Sequence, residues 1–244
     1  MVRNLIVATG ALVLAAAALT ACTRSLADHD NLYSRGTDQF VWCSINIDGT
    51  RYGLEEIADA LERAKVDGTT LHFYAHVPGE TIEPSKIEHV LRAVHNLGLQ
   101  IVTYDELSAH EVPGSLALSF DDNRIDSWMS IRDLLASYQV HVTFFVSGFL
   151  EFTDAGRAQL RQLADDGHDI EYHSTHHLDA AQFIADHGMA DYIASEITPA
   201  LDAMRAAGYG PQVFAYPGGG RSPESDEALR PYFEHLRGIA SHCP

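Results

Sequence analysis

Basic residues are scarce in this chain. Lys and Arg number 16 against 34 Asp and Glu, a formal net charge of −18 with His neutral. That balance argues against nucleic acid and anionic lipid surfaces as partners. Cysteine is scarcer still, with three in 244 residues, too few for a scaffold held by a disulfide framework. Beyond residue 25 no apolar run is long enough to span a membrane, and no low-complexity tract or repeat occurs. Gly218-Gly219-Gly220 is the one glycine run. It follows Tyr216-Pro217 with no helix opening directly, which argues against a phosphate-cradling loop and a bound nucleotide.

The N-terminus carries the long apolar run that the body lacks. Met1-Val2-Arg3 is a short basic start, Leu5 to Leu19 is rich in Ala, Val and Leu, and Leu19-Thr20-Ala21 leads into Cys22. This resembles a bacterial lipoprotein signal with its acylated cysteine. A plain transmembrane anchor is the alternative, for which the run is short. The expected division is a signal peptide over 1–21, a polar tether over 22–39, and one domain over 40–244. The body would then face an extracytoplasmic space, tied to a membrane only through acyl chains on Cys22. Residues 1–21 hold no acid and one base, Arg3, so the charge beyond them is −19.

Strand and helix patterns alternate through the body. Phe40 to Ile47, Thr70 to His76, Leu99 to Tyr104, Ser115 to Asp121, Val140 to Val146, His168 to Tyr172, Gln212 to Tyr216 and Leu236 to Ala240 read as strands. Between them lie helical patterns: Leu54 to Ala64 before Gly68, Pro84 to Leu97 before Gly98, and Ile125 to Tyr138. Seven or eight βα units argue an α/β fold with a largely parallel sheet. Because the candidate site residues cluster at strand C-termini, a distorted barrel fits better than an open doubly wound sheet.

The chemistry centres on Ser119-Phe120-Asp121-Asp122-Asn123, where a strand ends and a helix begins. Such residues also suit a turn and an N-cap. Two adjacent carboxylates in a dry site, however, do not both ionise cheaply without a cation or proton between their roles. Fifty residues on, His173-Ser174-Thr175-His176-His177 sets two imidazoles four apart, so one helical turn or tight loop brings both to one face. Two His and one carboxylate make an open divalent-metal site of the kind catalytic zinc uses. The metal lowers the pKa of water, and the second carboxylate takes the proton.

These residues resemble the polysaccharide deacetylase family (carbohydrate esterase family four). Leu118 to Asp122 is similar to its first motif, Thr/Ser-Phe-Asp-Asp. Gly167 to His177 is similar to its Gly-His-Glu-Ile followed by His-Ser/Thr-x-x-His, and Val142 to Val146 to the strand between them. The resemblance implies Asp121 as catalytic base and Asp122, His173 and His177 as metal ligands, with His168 and His176 structural. Ala215-Tyr216-Pro217-Gly218-Gly219 matches the third motif in Pro217 and Gly219. Ala215 stands where the family has an arginine that orients the base, leaving Arg51 or Arg221 to supply the charge. Gly218 still offers its backbone N–H to an oxyanion.

The family's closing parts occur here at the front. Val41 to Asp48 resembles the strand of its fourth motif and Leu71 to His76 its Leu-x-His strand, while Lys86 to Leu107 resembles its last helix and strand. This implies a circular permutation, with His76 as the acid that protonates the departing amine. It also implies that Cys43 and Cys243 come close enough to bridge in an oxidising compartment. Trp42, Tyr74 and Tyr216 are candidates to line a sugar groove. The expected activity is removal of acetyl groups, N-acetyl before O-acetyl, from a cell-envelope or extracellular polysaccharide. The alternatives are a non-catalytic glycan-binding lipoprotein of the same fold and an esterase acting on acetylated xylan.

Overall fold

Strands buried on both faces need cover on each side, and a parallel sheet closed on itself under a ring of helices supplies it. In the computed structural model, which describes residues 25–37 and 39–243, nine strands form: β1 (Tyr33–Ser34), β2 (Val41–Asn46), β3 (Thr70–Ala75), β4 (Gln100–Val102), β5 (Ser115–Asp122), β6 (Thr143–Val146), β7 (Asp169–Tyr172), β8 (Val213–Ala215) and β9 (His235–Ile239). Seven of them, β2, β3, β5, β6, β7, β8 and β9, pair in that order, all parallel, and β9 closes on β2. The fold is therefore the α/β barrel the sequence pattern predicts. β4 lies outside the ring on β5.

Side chains alternate between the two faces of each strand. Trp42, Ala117, Phe145, Val213 and Ala215 fill the barrel interior together with Tyr104, while Phe73, Phe120, Phe144, Ile170 and Phe214 pack in the larger core that includes helix residues. The helix Leu54–Asp67 buries Ile57, Ala60, Leu61 and Ala64, and the helix Pro84–Leu97 buries Ile87, Val90, Leu91 and Val94. The pattern predicted over Ile125 to Tyr138 resolves into two short helices, Ile125–Met129 and Arg132–Ser137. At the break, Ser130 Oγ donates to the Ser127 carbonyl, a local bond that competes with the helix ladder.

The tether expected over 22–39 is corrected where the structure describes it. Leu26 and Leu32 are fully buried, Arg63 donates to the Ala27 carbonyl, and β1 pairs antiparallel with β3. The strand registers supply the reason. β2 meets β3 only at Ile45–Phe73 and Asn46–Tyr74, so lower down β3 has an open edge that Tyr33 and Ser34 occupy opposite Leu71 and Thr70. Ser34 Oγ lies 2.7 Å from His72 Nε2, and Tyr104 Oη 3.1 Å from His72 Nδ1. Burial pushes His72 down to about 3, so it is a neutral core imidazole. The signal segment 1–21 and Cys22 lie outside the described residues. Among those described, no helix is long and apolar enough to cross a membrane.

Cys43 on β2 and Cys243 beyond β9 form a disulfide, with Cα atoms 5.9 Å apart. It ties the C-terminal tail across the seam where the two ends of the barrel meet. Gly238 makes room for it: a Cβ there would stand 3.1 Å from Cys243 Sγ.

Candidate active site

β5 delivers its two carboxylates to the C-terminal mouth of the barrel. Phe120 packs in the core, so Asp121 points inward by alternation and is 2 % exposed. Asp122 adopts φ +90°, a conformation rare for a side chain of this kind. Adjacent strand residues otherwise face opposite ways, and this backbone turn brings Asp122 to the mouth as well. β7 ends at Tyr172 and hands on to His173, whose Nδ1 lies 2.8 Å from the Ala215 carbonyl. Donation from Nδ1 fixes the tautomer and leaves the Nε2 lone pair facing Asp122 Oδ1 at 3.7 Å. His177 Nε2 reaches the same oxygen at 3.0 Å.

The three ligand atoms lie within 4.8 Å of one another. Asp122 Oδ1 is buried, and the two imidazoles are the groups that approach it. Burial pushes His173 down to about 4, which keeps it neutral. Burial works against ionising Asp122, but the His177 contact and the nearby imidazoles outweigh it and hold the carboxyl at about 2. Two imidazole nitrogens and one carboxylate oxygen within reach of one point fit a divalent cation, with nitrogen and oxygen ligands suited to zinc.

His173 and His177 share a loop, not a helical turn. Ser174 and His177 sit at φ +70° and +61°, and such strain persists only where surroundings fix it. Glu196 does this. Its fully buried carboxylate holds His176 Nδ1 at 2.6 Å and accepts from the backbone N–H groups of His176 (3.0 Å) and Leu178 (3.4 Å). Its carbonyl accepts from Thr175 N and Tyr172 Oη. Glu196 rides on a π-turn, Ile193–Ile197. Pro199, just beyond, has no N–H for the Ser195 carbonyl, which shifts the ladder there. Removing one carboxylate oxygen from this brace by Glu196→Gln is expected to weaken Zn²⁺ affinity about tenfold, the scale of groups that orient ligands from behind. Competition against a chromogenic chelator measures it, and an unchanged affinity would show that the loop holds itself.

The missing arginine comes from β9. Arg237, 1 % exposed, pairs through Nη2 with Asp121 Oδ2. Its guanidinium lies 4.7 Å and 5.0 Å from the ring centres of Tyr74 and Phe145. Neither candidate named from sequence does this. Arg221 is paired with Asp226, and Arg51 lies over the Tyr52 ring. The register sets Ala215 opposite Arg237, so the charge stands on the strand beside the one where the motif carries it. The signal was present in the sequence as a single charge inside the apolar strand Leu236 to Ala240.

His76 completes the mouth. Ala75 pairs with Phe120, which sets His76 level with Asp121 on the adjacent strand. Its Nδ1 lies 2.5 Å from Asp48 Oδ2, and Asp48 Oδ1 accepts from His76 N and Thr81 Oγ1. Burial lowers the affinity of His76 for a proton, but the bond to Asp48 and the charge of Asp121 outweigh it and raise its pKa. Asp48 ends the strand that resembles the fourth motif, but nothing in the sequence pairs it with His76, because that contact depends on the register of β2 and β3.

Gly218 lies exposed in the loop after β8 at φ +61°. The loop is pressed against Asp179, two residues past His177: a Cβ on Gly220 would stand 2.0 Å from Asp179 Oδ2. Of the three groove aromatics expected from sequence, Trp42 and Tyr216 are corrected to core. Trp42 stacks on His235 at 4.0 Å inside the barrel, and Tyr216 Oη bonds Asp226. Tyr74 remains beside the site, edge-on to His76 at 5.4 Å. His168 and His176 are structural, their Nδ1 atoms engaged by Val142 N and Glu196.

The same barrel occurs in known proteins. The chain resembles the Streptococcus pyogenes deacetylase PplD in complex with acetate (TM-score 0.54, 20% identity, covering 68% of this chain and 80% of that one). It also resembles IcaB from Ammonifex degensii (TM-score 0.57, 19% identity, 70% and 84%). At these identities the likeness speaks for the barrel alone. No curated protein matches in sequence. The family model for polysaccharide deacetylase matches residues 108–232, which hold the Asp pair, both His ligand candidates and the Gly218 loop, and the chain belongs to that family.

Proposed function

We propose that this protein is a metal-dependent deacetylase that removes acetyl groups, N-acetyl in preference to O-acetyl, from a cell-envelope or extracellular polysaccharide. The observation that carries this reading is the division of labour at the mouth. Asp122 turns toward two imidazoles, while Asp121, one residue away, turns to an arginine.

Asp121 Oδ2 is held by Arg237, and Oδ1 is buried without a partner. That free oxygen is the base that takes a proton from water. A divalent ion on Asp122, His173 and His177, zinc by its donors, would supply Lewis-acid polarisation of the acetyl carbonyl and activation of that water. The Gly218 N–H serves the developing oxyanion. His76, whose proton affinity the bond to Asp48 raises, delivers a proton to the leaving nitrogen, a group too basic to depart unprotonated.

The circular permutation belongs to the same proposal. His76 and Asp48 precede the family-matching segment, yet meet its Asp pair at one mouth. So does attachment through Cys22 on the extracytoplasmic side, motivated by the N-terminal sequence. The test is acetate release from chitin oligomers, poly-N-acetylglucosamine, peptidoglycan fragments and acetylxylan. Release from an N-acetylated glycan, lost on chelation and restored by Zn²⁺, is expected. No release from any of them with any divalent metal would leave a glycan-binding protein.

A further inference from the structure

A cavity of about 160 Å³ lies beside the site, between the mouth ends of β2 and β9. Its walls include His29, Asn46, Arg51, Tyr74 and Ser241. Four other clefts each carry at least one carboxylate residue, as expected in a chain with 34 acids. This one carries none.

Arg51 and Asn46 can donate into it, and its hydroxyls can donate or accept. Tyr74 is 8 % exposed, and its hydroxyl has no hydrogen-bond partner among the described residues. Burial holds that hydroxyl up at about 12, so it keeps its proton. Asn46 spends its carbonyl oxygen on Asp48 N at 2.6 Å, which leaves its amide N–H₂ to donate. Arg51 contacts the Tyr52 ring and has no carboxylate partner among the described residues. Tyr74 is shared with the site: its ring meets His76 edge-on, and the Arg237 guanidinium lies over its face.

We propose that this cavity is a carboxylate subsite of the deacetylase, with Arg51, the Tyr74 hydroxyl and the Asn46 amide as its donors. The proposal rests on the deacetylase reading and narrows its substrate class. A guanidinium with two further donors, in a lining free of carboxylates, favours an anion, and in a strongly acidic chain such a patch is needed to admit one. The volume, about that of five waters, suits a carboxylate with the few carbons that carry it. Two sources share this chemistry: a carboxylate on the glycan, as in a uronate neighbouring the acetylated sugar, and the acetate released by the reaction.

The experiment compares kcat/KM on alternating glucuronate–N-acetylglucosamine hexamers with that on neutral N-acetylglucosamine hexamers. Arg51→Gln and Tyr74→Phe are each expected to lower the charged-to-neutral ratio about tenfold or more, the scale of hydrogen bonds to charged groups. Lys65→Gln, the same charge change on a remote helix, should leave the ratio as it is. If the ratio holds in Arg51→Gln while the inhibition constant of acetate rises about tenfold, the subsite stands with released acetate as its occupant. If neither moves, the subsite is overturned. Calorimetric binding of the uronate hexamer to Asp121→Asn, with and without Arg51→Gln, reads the same comparison without turnover. An enzyme that released no acetate would therefore sink the deacetylase reading, while the calorimetry would still decide whether the cavity binds a carboxylate.

Discussion

Asp121→Asn is expected to keep its metal and lose about a thousandfold in kcat, whereas Asp122→Ala, His173→Ala and His177→Ala lose metal and activity together. The two carboxylates are neighbours in sequence but not in surroundings. Asp122 Oδ1 faces His177 Nε2 at 3.0 Å and His173 Nε2 at 3.7 Å, while Asp121 faces Arg237. An asparagine at 121 still accepts the arginine's hydrogen bond through its carbonyl oxygen. The amide cannot take a proton from water, however, and a positioned base contributes roughly 10²–10⁴ in rate. It also leaves the buried guanidinium without a counter-charge, so the variant should melt earlier than the wild type. Zinc content by atomic absorption and kcat on an acetylated glucosamine oligomer separate the roles. If Asp121→Asn came out metal-free and Asp122→Asn metal-loaded, the assignment within the pair would be reversed.

This division is legible in the sequence because the donor types and their spacing are there: two histidines four apart and an acid pair at a strand end. The strands themselves are legible too, since Phe120, Phe144 and Phe214 alternate with inward residues in short apolar runs. What escapes is whatever depends on register. Arg237 looks like an ordinary strand charge until β8 and β9 are aligned and it falls opposite Ala215. Glu196 looks like a surface acid on a helix until the π-turn before Pro199 rotates it under the His177 loop. Ser25 to Ser34 reads as a linker because two buried leucines in a polar stretch give no period. The turns that carry them pack on the helix Leu54–Asp67 and on β2, surfaces that only the folded barrel brings together.

The register also makes the arginine testable by moving it. Arg237→Ala should cost about 3–5 kcal/mol of stability, the scale of a buried ion pair broken from one side, and should lower kcat along with it. Loss of packing on Tyr74 and Phe145 would reduce stability as well, so this variant alone does not isolate the charge. The double variant Ala215→Arg with Arg237→Ala does, because it returns the arginine to the third-motif position on the neighbouring strand. Residues 215 and 237 are paired across β8 and β9, on strands spaced about 4.8 Å apart. A guanidinium on the long arginine side chain spans such a shift. Ala215→Arg alone places a second buried cation beside the first and should be the least stable of the three. The expected order of kcat is wild type, then the double variant, then Arg237→Ala, measured with zinc saturating so that ligand loss does not contribute. Recovery in the double variant would assign Arg237 as the group that orients Asp121. A double variant no better than Arg237→Ala would mean that the packing of the arginine, and not its charge, is what β9 supplies.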